Sequence, residues 1–221
     1  MSPAVRPAAG LLLDFGGVLT TSVTASFAAF ERAAGLPEGI VVAVLLDASR
    51  DAEDGLVGRF ERGELSPQAF EAELRSRLEG QGQRLPSGPL LTGLFAGLRP
   101  DEAVWDLARR VRAAGRPTGL LSNSWGHAIY PWDRLRAAFD VLVVSGEVGL
   151  RKPDPAIYAL AAERLALPPS RIVFVDDLER NVAAARACGM VGIQHRREAA
   201  ATTDAVLAAL GLADRDPPAK Q

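Results

Sequence analysis

Polar residues stand directly behind three short apolar runs of this 221-residue chain, and a lysine lies in the loop after a fourth. Asp14 follows Leu11-Leu12-Leu13, Ser122-Asn123 follows Gly119-Leu120-Leu121, and Asp176-Asp177 follows Ile172 to Val175. Lys152 sits in Gly149-Leu150-Arg151-Lys152-Pro153-Asp154-Pro155. Each alone has a bland reading, since Asp, Ser and Asn favour turns and helix caps. Together they gather three carboxylates, which repel by about 4 kcal/mol per pair at about 4 Å in an effective dielectric near 20. Something cationic must sit among them. Lys152 supplies one charge, and an all-oxygen ligand set favours Mg²⁺ over Zn²⁺ or copper as the source of two more. An Asp beside Mg²⁺ and a lysine is a competent nucleophile toward phosphorus and would form an aspartyl-phosphate. Ser122 would then hydrogen-bond a phosphoryl oxygen and Lys152 would neutralise charge on it.

Composition gives Lys152 added weight. Of 25 basic residues only Lys152 and Lys220 are lysines, so an interior lysine marks a place where a compact ammonium is wanted rather than a forked guanidinium. The 25 basic residues are balanced by 27 acidic ones, which leaves no basic field for a nucleic-acid backbone and no polybasic segment for a membrane surface. The longest apolar run, Ile40 to Leu46, is far short of the ~20 residues that span a bilayer, and neither a spanning helix nor a signal peptide is expected. The one cysteine, Cys188, forms no internal disulfide, which fits a reducing, cytoplasmic setting.

The elements that must position these residues follow from the same runs. Gly10 to Leu13, Pro117 to Leu121, Val141 to Val144, Arg171 to Val175 and Met190 to Ile193 read as buried strands. Helical patterns at 101–114, 135–139, 155–165, 179–188 and 202–210 alternate with them, and such alternation argues an α/β fold, a Rossmann-like parallel sheet with both faces covered. In open sheets of this kind ligands bind beyond the carboxyl ends of the strands, where the polar residues stand. The alternation fails between the first two strands. There Thr24 to Ala34, Pro37 to Ser49, Asp54 to Arg62 and Pro67 to Glu79 look helical, the last with Ser66 as N-cap and Pro67 at its first position. The stretch Gly80 to Pro89 and on to Pro100 reads as the return path. The expected organisation is a core of 1–19 and 97–221 and an inserted α-helical domain of 20–96, with a polar tail at Ala213 to Gln221.

Four segments in this order resemble the haloacid dehalogenase superfamily: Leu11-Leu-Leu-Asp-Phe-Gly-Gly-Val-Leu19, Gly119-Leu-Leu-Ser-Asn-Ser124, Arg151-Lys-Pro-Asp-Pro155 with Ile157 and Tyr158, and Val173-Phe-Val-Asp-Asp177 with Asn181, Ala184 and Gly189-Met190. The resemblance implies a helical cap after the first strand, Asp14 as nucleophile, and Ser122 and Lys152 as phosphate ligands. It also implies Mg²⁺ held by Asp14, the main-chain carbonyl of Gly16 and Asp177, with Asp176 acting through water. The chain departs from the family's typical phosphatases at Gly16, where an Asp would protonate the leaving group, a contribution of typically about 10²- to 10⁴-fold. Gly16-Gly17 instead frees the turn to bring amides close to a phosphate.

The expected function is a Mg²⁺-dependent phosphatase of a small phosphorylated metabolite, with Gly17, Asn123 and His127 as substrate contacts. The alternatives are a 2-haloacid dehalogenase, for which the absent acid at Gly16 is suitable but the Asp176-Asp177 pair is superfluous, and a non-catalytic binding module. His127 would stand in as acid if it faces the crevice. Tyr158 reads as core, and Arg59 and Glu61 read as a solvated helix face.

Overall fold

The structure is a computed structural model that describes residues 7–47 and 55–213. Five strands, β1 (Gly10–Leu13), β2 (Thr118–Ser122), β3 (Val141–Val144), β4 (Ile172–Asp176) and β5 (Val191–Gln194), form one sheet in the order β3-β2-β1-β4-β5. Every pairing is parallel. Each strand lies within a residue of its expected place, because an apolar run of this length buried on both faces has no competing amphipathic solution. β1, β2 and β4 are buried along their whole length.

Among the described residues, the segment between Leu19 and Arg99 holds five α-helices: α1 (Val23–Ala34), α2 (Ile40–Asp47), α3 (Leu56–Glu61), α4 (Pro67–Gly80) and α5 (Leu90–Phe95). The Ser66 hydroxyl accepts the N–H of Ala69 at 3.1 Å and Pro67 opens α4, as the sequence indicates. The segment read as a plain return path contains α5, a six-residue helix whose N-cap Pro89 makes no capping bond and whose Leu91 N–H donates instead to Glu71 Oε1 of α4 at 2.9 Å. The expected helix ends at Ser49 and Asp54 and the tail beyond Ala213 lie outside the described residues. These helices bury their own apolar cluster, which includes Phe27, Val44, Phe60, Phe70, Leu74 and Leu94.

The rest of the chain covers the sheet with α6 (Glu102–Ala113), α7 (Trp132–Ala138), the short α8 (Ser145–Val148), α9 (Pro155–Arg164), α10 (Glu179–Ala187) and α11 (Ala199–Leu210). Alternation along the strands sorts the core into two layers. Leu11, Leu13, Val173 and Val175 face α6, α7 and α11, whereas Leu12, Ile172 and Phe174 face α9 and α10. Among the described residues no helix is long and apolar enough to cross a membrane.

The chain runs from β1 outward to β2 and β3, then returns to the other side of β1 for β4 and β5. The connections leaving β1 and β4 therefore diverge, and a crevice opens at their carboxyl ends, where Asp14 and Asp176 stand. The two connections to the helical insert run antiparallel at one edge of that crevice. Thr20 pairs with Pro100, and the N–H of Thr21 donates to the Arg99 carbonyl at 2.8 Å.

The turn after β1 has a type II form, with Gly16 at φ −71°, ψ 123° and Gly17 at φ 77°, ψ 0°. A Cβ on Gly17 would meet Asp177 Oδ2 at 2.3 Å and Asp177 Cγ at 2.7 Å. Gly17→Ala is thus expected to lower stability by about 1–3 kcal/mol through the positive φ alone and, by displacing Asp177, to abolish any stabilisation by added Mg²⁺. Chemical unfolding of both proteins with and without Mg²⁺ checks this; a Mg²⁺ response retained by the variant would contradict it.

Candidate active site

One buried ammonium ties three neighbouring strands together. Lys152 Nζ lies 2.8 Å from Asp14 Oδ1 and donates to Asp176 Oδ2 at 2.6 Å and to the Leu121 carbonyl at 2.9 Å. Asp14 follows β1, Asp176 ends β4, and Leu121 belongs to β2. Lys152 is only 1% exposed, so its charge survives in the interior because all three donors are paired. Burial works against that charge, but Asp14 and Asp176 outweigh it and hold the lysine above its ordinary range.

Lys152 is itself aimed by Asn123. The Asn123 Oδ1 accepts the Lys152 N–H at 2.8 Å, and its Nδ2 donates to the Lys152 carbonyl at 3.0 Å. Asp176 is equally committed: its Oδ1 accepts the Leu178 N–H at 2.9 Å and Asn181 Nδ2 at 3.0 Å. Asp14 differs. Its Oδ1 meets Lys152, its Oδ2 has no partner among the described residues, and it lines a cavity of about 830 Å³ between the core and the helical insert.

Asp14, Asp176 and Asp177 offer carboxylate oxygens within 4.8 Å of one another. Three carboxylates against one ammonium leave an excess of two negative charges, and the donors are all oxygens. Burial, opposed by Lys152 and reinforced by Asp176, pushes Asp14 up to about 7. Burial and the neighbouring Asp176 push Asp177 up to about 6. A hard divalent cation fits this cluster in charge and in donor type, and Asp14, Gly16 and Asp177 line the cavity.

Ser122, which is 2% exposed, shares a hydrogen bond of 2.9 Å with the hydroxyl of Tyr130. Tyr130 lines the same cavity and packs its ring at a 48° tilt, 4.8 Å between centroids, against Phe15, a placement that no local sequence signal gives.

Several residues stand elsewhere than the sequence suggests. His127 is exposed, stacks on Trp132 at 4.4 Å, and lines a separate cavity; a strong ring partner nearby in the chain turned it away from Asp14. The Gly17 N–H donates to Thr20 Oγ1 at 3.4 Å, so this amide closes the turn rather than facing a ligand. Asn123, expected as a substrate contact, spends its amide on Lys152 and Glu61. Arg59 is exposed, as expected, but Glu61 is only 6% exposed. Its Oε2 takes Arg151 Nε at 2.6 Å and Asn123 Nδ2 at 3.0 Å, and its carbonyl accepts the Ser145 hydroxyl. Burial raises the Glu61 carboxyl despite Arg151. Tyr158 is fully buried and donates to the Asn181 carbonyl at 2.9 Å, a core role.

A parallel α/β sheet with a carboxylate-lysine cluster at its switch point defines a class, and the family comparison agrees with it. The haloacid dehalogenase-like hydrolase model matches residues 9–189, and the chain belongs to that family. It is 29% identical to the bifunctional epoxide hydrolase 2 of Sus scrofa, over 82% of this chain and 35% of that protein, so it spans about a third of that relative's length. It is 31% identical to the sesquiterpene phosphatase astK of Aspergillus oryzae over 65% of this chain and 74% of that one. An (S)-2-haloacid dehalogenase of Pseudomonas putida is 34% identical over 38% of this chain and 39% of its own length. Among solved structures, a family enzyme from Bacteroides thetaiotaomicron in complex with magnesium and inorganic phosphate superposes with a TM-score of 0.58 at 20% identity, covering 86% of this chain and 96% of that one.

The raised carboxyls fix the sign of a pH effect. In the metal-free protein Asp14 and Asp177 keep protons that the unfolded chain, with ordinary carboxyls near about 3.9, has already released. Stability is therefore expected to fall as pH rises from about 4 to about 7 and to level off above. Added Mg²⁺ should stabilise the protein at pH 8 by about 2.7 kcal/mol at a hundredfold excess over its Kd, which raises the melting temperature, and have little effect near pH 5. Thermal melts across that range check this; a Mg²⁺ effect independent of pH would contradict it.

Proposed function

We propose that this chain is a Mg²⁺-dependent phosphatase of a small phosphorylated metabolite, acting through an aspartyl-phosphate on Asp14. The observation that carries the reading is the buried Lys152 ammonium shared by Asp14 and Asp176, with Asp177 beside them, because one lysine leaves two charges for a divalent cation. A metal-free route to halide release has no use for that excess. The similarity to a sesquiterpene phosphatase supports ester hydrolysis, and the bound magnesium and phosphate of the Bacteroides enzyme support the cofactor.

Asp14 Oδ2 attacks phosphorus while Lys152 holds Oδ1, which fixes the carboxylate plane and opposes the burial that favours its protonated form. The P–O bond to the alcohol breaks and the aspartyl-phosphate forms. Water then attacks phosphorus, releasing phosphate and returning the Asp14 carboxylate. If the Tyr130 hydroxyl donates to Ser122, the Ser122 proton, which the Asn123 carbonyl accepts at 3.3 Å, can turn to a phosphoryl oxygen by giving up that long bond. Lys152 has every donor in use, so its contribution runs through Asp14 and Asp176, and contact with a phosphoryl oxygen requires it to exchange a partner. Asp14, Asp177 and the Gly16 carbonyl would hold Mg²⁺, which would supply positive charge for the transferring phosphoryl group. The helical insert serves as the cap, with Glu61 pinning it to Asn123 and Arg151 over the site.

Asp14→Asn should keep the fold and lose several orders of magnitude in turnover of an aryl phosphate, and Lys152→Arg should be severely impaired because a guanidinium does not occupy the space of an ammonium. Activity should vanish with a chelator and return with Mg²⁺. Halide release from 2-haloacids indifferent to chelator would instead select the dehalogenase.

With no acid at residue 16, phosphorylation of the enzyme should depend steeply on leaving-group pKa, and His127→Ala should leave that dependence unchanged. A Cβ on Gly16 would meet Val23 Cγ2 at 2.8 Å, so Gly16→Asp needs the companion change Val23→Ala to seat a donor. That double variant should flatten the dependence. A shallow slope in the unmodified protein would reveal another acid.

A further inference from the structure

The cavity that holds Asp14 has two chemically unlike walls. The strand ends contribute Asp14, Ser122, Lys152 and Asp177. Facing them, the insert and the segment after β2 contribute Val42, Val57, Leu98, Trp125 and Ile129, all half-buried and continuous with the apolar cluster of the insert. Leu178, on the core side of the mouth, is 42% exposed and lines the same space. At about 830 Å³ the cavity is far larger than a phosphate needs and matches pockets that enclose a whole organic ligand, about 300–1,000 Å³.

The insert brings few polar side chains to this lining, Ser22, Thr24 and Glu61, and these bond chiefly to protein partners among the described residues. The Ser22 and Thr24 hydroxyls bond each other at 2.9 Å, and Glu61 Oε2 serves Asn123 and Arg151. A polyol lying against this wall would leave hydroxyls unpaired, each at a cost in affinity. A hydrocarbon would lose nothing and gain from its own burial.

We propose that the natural substrate is the phosphate monoester of an apolar alcohol, with its phosphate at the strand ends and its carbon body along Val42, Val57 and Leu98, rather than a sugar or polyol phosphate. This rests on the phosphatase reading and names the substrate class for it.

A series of 4-n-alkylphenyl phosphates tests it, because the leaving-group pKa stays constant while the chain lengthens, so Gly16 has no bearing on the slope. With Mg²⁺, kcat/KM should rise about fourfold per methylene over the first several carbons, the equivalent of about 0.8 kcal/mol per buried CH₂. Glucose 6-phosphate and glycerol 3-phosphate should fall below phenyl phosphate. In the double variant Val42→Thr/Val57→Thr, chosen to preserve side-chain shape and checked by melting, the ratio of octylphenyl to phenyl phosphate should drop severalfold. Turnover of phenyl phosphate with a flat or falling chain-length series, or with a sugar phosphate preferred, overturns the substrate class and leaves the phosphatase reading standing. No turnover of any ester, phenyl phosphate included, overturns both.

Discussion

The structure depends on one ammonium that is more than 98% buried and cannot remain charged there unpaired. Lys152 reaches β1, β2 and β4 at once, so the lysine that neutralises the site also fastens the carboxyl ends of the three central strands. Its partners are then constrained in turn. Asp176 must be buried, Asn181 and the Leu178 amide must satisfy its remaining lone pairs, and Asn123 must fix the backbone from which the lysine extends. Asp14 is the member left with an oxygen facing the cavity. A carboxylate oriented through one oxygen, on a side chain that lines the cavity, is the geometric consequence of that arrangement.

The helical insert is bound to the same network. Glu61 reaches Arg151 and Asn123, the residues next to Lys152 and next to Ser122, so the position of the insert and the position of the lysine are set by shared side chains. Trp125 adds an apolar anchor, its ring lying 5.5 Å from Phe95 and 5.8 Å from Phe27 of the insert. Under the proposed function, substrate selection by the apolar wall and the placing of Asp14 would be coupled through these shared contacts.

What the sequence discloses is what short-range pattern governs. The strands, the strand-end positions of Asp14, Ser122, Asp176 and Asp177, and the lysine loop are legible because apolar runs and their polar ends obey the sheet's own geometry. Features decided by distant partners are not legible. Glu61 sits in Arg59-Phe60-Glu61-Arg62, which reads as a solvated helix end, yet Arg151, ninety positions on, buries it. His127 lies near Ser122 in the chain but follows Trp132 instead. Tyr130 carries no signal beyond its type. The helix Leu90–Phe95 has no capping side chain of its own and lies in a Gly- and Pro-rich stretch, so it exists through packing of Leu90, Leu94 and Phe95 and through the distant Glu71, whose Oε1 accepts the Leu91 N–H at 2.9 Å, rather than through propensity.

The account is tested most directly by trapping the covalent state on the side chain that Lys152 holds. During turnover of an aryl phosphate with Mg²⁺, acid quenching followed by borohydride reduction converts an aspartyl-phosphate to homoserine. Peptide mass analysis is expected to find homoserine at position 14, only when substrate and Mg²⁺ are both present. Full release of phosphate with Asp14 unmodified, or modification at another carboxylate, would contradict the claim that Asp14 is the nucleophile.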